Sequence, residues 1–178
     1  MSSFEKRVIK KFFKTRHLCK PLSVHESEIE YVMKKLGKDL EAFKKHDSFL
    51  QYIKFLSNFG ATSGFNFEIC GPIKLMMTRQ ERLLNIENDQ DQFDSINRIR
   101  DISEEQIKSY WIIARNDNID EFYIDVSEEG KGHIYCLYPY DKTTLYAEDF
   151  IKFLDNINKL YDKKDKYEEK SFRKLKFW

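Results

Sequence analysis

The fold turns on residues 109–140, SYWIIARNDNIDEFYIDVSEEGKGHIYCLYPY. Three runs in this stretch, SYWIIAR, EFYIDVS and HIYCLYPY, are rich in β-branched and aromatic residues, the side chains that suit a pleated, half-buried surface. They are separated only by NDNID and EEGKG. Parallel strands need crossovers of a dozen or more residues, so connections this short specify an antiparallel meander. Regular alternation puts Glu121, Tyr123 and Asp125 on one side of the middle strand and Phe122, Ile124 and Val126 on the other. The second set reads as core. Trp111, among the apolar residues of YWIIA, reads as core too, with Tyr110 on the opposite side. Tyr135, Tyr138 and Tyr140 read as packing on the pleat.

Helices are expected on both sides of this meander in the chain. FEKRVIKKFF spaces Phe4, Val8, Ile9, Phe12 and Phe13 as one stripe between lysines, a short basic amphipathic helix ended by Pro21. SEIEYVMKKLG offers Ser27 and Glu30 as a capping box, Ile29, Val32, Met33 and Leu36 as a stripe, and Gly37 as the stop. A second helical pattern runs from about Leu40 to Phe59, with Phe49, Ile53 and Leu56 on one face, and ends at Gly60 in the turn-rich GATSG. FNFEICGPIKLM reads as extended through Phe65, Phe67 and Ile69 until Gly71-Pro72. Thr78 and Glu81 cap a polar helix, and Phe93, Ile96 and Ile99 resume a helical period after the acidic ENDQDQ. AEDFIKFLDNINKLY closes the domain with Phe150, Phe153, Leu154, Ile157, Leu160 and Tyr161 on one side of a helix.

The fold class is therefore α+β, an antiparallel meander packed by N-terminal helices and a C-terminal helix. The meander wording FYIDVS, the glycine-bearing turn, the aromatic HIYCLYPY and the closing YAEDFIKFLDNI together resemble the SUKH superfamily, the Smi/Knr-type immunity and cell-wall-regulator proteins. SEIEYVMKKLG and FLQYIKFLSNFG are similar to the N-terminal helix pair of that family. The resemblance covers about residues 26 to 160. It implies binding without catalysis and, in bacterial members, neutralisation of a cognate protein toxin, commonly a nuclease or another nucleic-acid-modifying enzyme.

Charge divides the chain of 178 residues more sharply than its net +1 suggests. Residues 1 to 20 carry seven bases against Glu5, a balance of +6, and residues 162 to 178 carry seven against four acids, +3. The remaining 21 to 161 stand at −8. The organisation read from this is a basic amphipathic extension over 1–22, an α+β domain over 23–161 and a charged tail over 162–178. Three cysteines, Cys19, Cys70 and Cys136, form no C-x-x-C pair and suggest a reducing compartment. No apolar h-region opens the chain and no run approaches the ~20 apolar residues of a bilayer span, so the expectation is a cytoplasmic protein with no transmembrane segment.

Chemistry-bearing patterns are weak. In NDNIDE, Asn116, Asn118 and Asp120 imitate alternate ligands of a calcium loop, but Glu121 stands where the turn needs glycine and Ser127 where the bidentate Glu belongs. His17, Cys19 and His25 straddle Pro21 with no fourth ligand, so no metal site is assigned. Cys70 and Cys136 sit in apolar runs and read as small buried hydrophobes. There is no phosphate-cradling loop or nucleophile elbow, so no catalytic residue and no cofactor is expected.

What stands out is an excess of acid. Residues 101 to 130 hold nine acids against Lys108 and Arg115. A solvated rim would explain them. The alternative is recognition, because a partner that grips nucleic acid must present lysine and arginine to phosphates, and an acidic face docks on that surface. The partner-binding residues expected are Asp117, Asp120, Glu121, Tyr123, Asp125, Glu128 and Glu129, with tyrosine as the aromatic anchor among carboxylates. The expected partner is a cognate toxin with a basic cleft. A competing reading uses the basic N- and C-terminal segments as a nucleic-acid-associated or regulatory scaffold module.

Overall fold

The computed structural model describes residues 2–14, 24–35, 37–64, 67–71, 109–116, 121–137 and 143–175. Within them the chain forms α1 (Ser3–Lys14), α2 (Glu26–Lys35), α3 (Leu40–Lys44), α4 (Asp47–Phe59), β1 (Thr62–Gly64), β2 (Phe67–Ile69), β3 (Tyr110–Asn116), β4 (Glu121–Asp125), β5 (His133–Leu137), β6 (Thr144–Ala147) and α5 (Phe150–Leu175). The six strands make one antiparallel sheet in sequence order. The α+β expectation and the central meander both hold.

Local chemistry sets the helix ends. Gly37 takes φ +61 after α2, with the Gly37 amide donating to the Lys34 carbonyl and the Lys38 amide to that of Met33, so the last carbonyls of the helix are satisfied. At the other end the expected capping box moves two residues: the His25 amide donates to Glu28 Oε1 at 3.3 Å, while Glu30 turns toward Lys44. The single helix expected from Leu40 to Phe59 is two. Asp39 caps α3 by accepting from the Glu41 amide, and His46 breaks the path in extended backbone before α4. GATSG, read as a turn, supplies β1, and the short β6 was not anticipated. The polar helix capped by Thr78 and Glu81, the helical period resuming over Phe93, Ile96 and Ile99, and Asp117 and Asp120 lie outside the described residues, as do Cys19, Tyr138 and Tyr140.

The core lies between the helices and one face of the sheet. Trp111 meets Phe43 and Phe49 edge-on at 6.0 and 5.8 Å, and Phe153 contacts Phe67 and Phe122. A β-bulge between Ile112 and Ala114 brings Ile113 and Ala114 both inside, because the extra residue resets the alternation of β3. Tyr52, fully buried, donates its hydroxyl to the Cys70 carbonyl at 2.8 Å, and burial holds that phenol well above its ordinary range. Cys70 and Cys136 are buried.

Helix α1 joins this core. Val8, Ile9 and Phe12 are buried, and Phe13 stacks on Phe55 at 5.9 Å. Asn158 of α5 donates to the Val8 carbonyl at 3.1 Å, and Lys11 pairs with Asp162. The contacts advance together along both helices, so α1 runs parallel to α5. The charged segment from residue 162 continues α5 as helix to Leu175.

Candidate functional site

The described helices occupy one face of the sheet, and the candidate site is the other. Strand register lays its residues in rows. Ile112, Tyr123, Tyr135 and Leu145 form one, Tyr110, Asp125 and His133 a second, and Arg115, Glu121 and Leu137 a third. Across the first two rows the tyrosines stack: Tyr110 on Tyr123 at 4.1 Å with 27° between ring planes, and Tyr123 on Tyr135 at 5.9 Å with 19°. Offset stacking of this kind is worth about 0.5–1.5 kcal/mol per pair beyond the area it buries.

Alternation placed Glu121, Tyr123 and Asp125 on the same face as they occupy, but not at the surface. Tyr123 is only 2% exposed because the rings of adjoining strands cover it. Its hydroxyl is buried with no hydrogen bond of good geometry, beside the hydroxyls of Tyr110 and Thr143, and burial raises this phenol far above its ordinary value. The open parts of the stack are its half-buried ends, Tyr110 and Tyr135.

Asp125 is likewise buried, at 7% exposure, and its carboxylate builds the β4–β5 hairpin. Oδ1 accepts from the Ser109 hydroxyl and from the Ser127 amide, both at 2.9 Å. The Ser127 hydroxyl accepts from the Gly130 amide, and the Gly132 amide donates to the Asp125 carbonyl. Glycine is required at two points of this loop. A Cβ at Gly130 would sit 2.2 Å from Asp125 Cγ, and Gly132 adopts φ +73 with the His46 ring 2.4 Å from where its Cβ would be. Asp125 therefore acts as a positioning residue whose charge is felt through the face, while Glu128 and Glu129 stand exposed on the turn it organises.

The electrostatic result is read by the tyrosines. Burial raises Tyr135, and the charges of Asp125 and Glu129 raise it further. Tyr110 is raised by burial and then by Asp125, Tyr135 and Glu129. Both rings lie in a negative field. At the far edge Glu121 stands half-exposed opposite Arg115, whose guanidinium binds Glu68 at 2.8 Å. Leu145, 56% exposed, extends the tyrosine row toward β6. Leu145, Ile112 and His133 are members of the face that the sequence did not single out, since β6 and the bulge in β3 set their places.

Among the described residues no three His, Cys, Asp or Glu side chains converge as a metal site, and no helix is long and apolar enough to cross a membrane. The face offers stacked phenols, exposed apolar area at Leu145 and carboxylates at the margin.

The architecture is an α+β layer with its sheet in sequence order and its described helices on one face. The chain belongs to the SMI1 / KNR4 family (SUKH-1), whose model matches residues 24–156. That family comprises immunity-type proteins and relatives that regulate cell-wall processes. No curated protein and no solved structure was found to match the chain. Helix α1 and the second half of α5 lie outside the matched residues.

Proposed function

We propose that this chain is a non-catalytic immunity-type protein of the cytoplasm that neutralises a cognate toxin by binding it through the outer face and margin of its sheet. The observation that carries this reading is the juxtaposition of the tyrosine stack with the charges of Asp125 and Glu129. Lysine and arginine of a partner find there carboxylates for charge matching, ring faces for cation–π contact, and apolar area at Leu145. A toxin that cleaves or modifies nucleic acid must carry such cations in its cleft. Occupying that cleft blocks the substrate without any bond being made or broken.

The residues assigned are Glu121, Glu128 and Glu129 at the margin, together with Asp117 and Asp120 of the sequence between β3 and β4. Tyr123 and Asp125 act beneath them by holding Tyr110, Tyr135 and the hairpin in place. The test is co-expression with a toxin recovered as this protein's binding partner. Replacing Asp117, Asp120, Glu121, Glu128 and Glu129 together by Asn or Gln is expected to abolish growth protection while the protein stays folded. Protection at wild-type strength by the folded variant removes the proposed surface.

A further inference from the structure

The two basic segments, 150 residues apart in sequence, are brought together by the fold. Helix α1 carries Lys6, Arg7, Lys10, Lys11 and Lys14 against Glu5, a balance of +4. Helix α5 carries eight bases against five acids, +3, with Lys163, Lys164, Lys166, Lys170, Arg173 and Lys174 in its second half. Their parallel packing, fixed by Asn158 on Val8 and Lys11 on Asp162, sets the C-terminal turn of α1 beside the start of that lysine-rich half. One helix pair thus holds +7 in a chain whose net charge is +1, and the rest of the molecule is −6.

From this we infer a second interaction surface, independent of the tyrosine face: the α1–α5 pair binds the phosphodiester backbone of nucleic acid without reading its sequence. Lys6, Lys10 and Lys14 are exposed and recur every four residues, so they rise about 6 Å apart along one side of α1. The helix backbone of α5 continues in the same direction to Leu175, roughly 28 Å beyond the level of Lys6, and its sequence from Lys163 onward is rich in lysine. The three lysines of α1 span about 12 Å, and phosphates along a strand meet such a row repeatedly.

An anionic membrane is the weaker match. A helix that lies on a bilayer inserts its apolar face, and the face of α1 is spent inside the protein: Val8, Ile9 and Phe12 are buried and Phe13 stacks on Phe55. On α1 only Phe4, 42% exposed beneath the Arg7 guanidinium, remains outside, and among the described side chains of α5 Leu160 is exposed as a single apolar residue.

The experiment uses the full chain and fluorescence anisotropy with labelled 20-base-pair DNA, 20-base-pair RNA and a 20-nucleotide single strand, at salt from 50 to 300 mM. Expected is binding to at least one of them whose logarithm falls with log salt at a slope of about −3 to −4, as for roughly four neutralised phosphates. Raising salt from 50 to 200 mM then weakens binding on the order of 100-fold. K6Q/K10Q/K14Q, all at exposed positions, is expected to keep the fold and to flatten the slope by about 2 to 3. No binding to any probe at 50 mM salt overturns the inference, as does binding that the triple variant retains unchanged. So does capture by phosphatidylserine vesicles or self-association through the helix pair in place of nucleic acid binding.

Discussion

Replacing Asp125 by alanine separates a carboxylate that builds the site from one that merely decorates it. Its Oδ1 accepts two hydrogen bonds at 2.9 Å, one from the Ser109 hydroxyl and one from the Ser127 amide, in a largely buried setting. Hydrogen bonds to a charged group contribute roughly 1.5–3 kcal/mol each, and a donor left without a partner in a buried setting costs a similar amount. Some water reaches the hairpin once the carboxylate is gone, so the two losses do not add in full, and the expected destabilisation is about 3 kcal/mol. With a urea dependence of about 2–3 kcal/mol per molar for a chain of this size, the unfolding midpoint moves down by about 1–1.5 M. D125N keeps an acceptor at the same place and is expected to lose only about 1 kcal/mol. S109A and D125A should be non-additive when combined, because they remove one shared bond. A D125A midpoint within about 0.2 M of wild type would refute the hairpin role and return Asp125 to the set of direct contacts.

Three further outcomes are expected. G37A, with open space around the added methyl, should cost only the left-handed backbone penalty of about 1 kcal/mol, whereas G132A adds a collision with His46 and should lower the urea midpoint by clearly more. F12A, emptying the buried contact between α1 and Phe55, should cost about 3–5 kcal/mol by the same measurement. Stability should also fall at alkaline pH. Burial holds the folded pKa values of Tyr52 and Tyr123 above the ordinary phenol value of about 10, so the unfolded chain ionises first and their contribution, complete below pH about 10, is lost as pH rises beyond it. Y123F should reduce the steepness of that loss in chemical denaturation.

The parts of the fold written in local pattern were legible. Stripes such as Val8, Ile9 and Phe12, or Ile29, Val32 and Met33, announce buried helix faces, and the short links of 109–138 leave an antiparallel meander as the economical solution. Features decided by distant partners were not. The break between α3 and α4 comes at His46, which lodges against Gly132 far along the chain, and nothing in the helical period of Leu40 to Phe59 anticipates that contact. The first strand needs β2 beside it to exist at all, since TSG has little strand character of its own.

The candidate site divides in the same way. Period-two alternation correctly grouped Glu121, Tyr123 and Asp125, because side-chain direction is a property of one strand. Exposure is a property of neighbours, and there the sequence reading failed: Tyr110 and Tyr135 close over Tyr123, while Ser109 and the 127–130 turn enclose Asp125. The acidic excess was visible as composition. Its conversion into a negative field over stacked phenols depended on register, which the sequence alone does not give.

The most direct measurement is the association rate of this protein with the purified cognate toxin proposed as its partner, at 50 and 300 mM salt, for wild type and for the variant in which Asp117, Asp120, Glu121, Glu128 and Glu129 are replaced. If the sheet margin meets a cationic cleft, the wild-type rate falls by on the order of tenfold or more with salt, and the variant starts slow and hardly changes. Equal rates for the two proteins at low salt would contradict an acidic recognition surface.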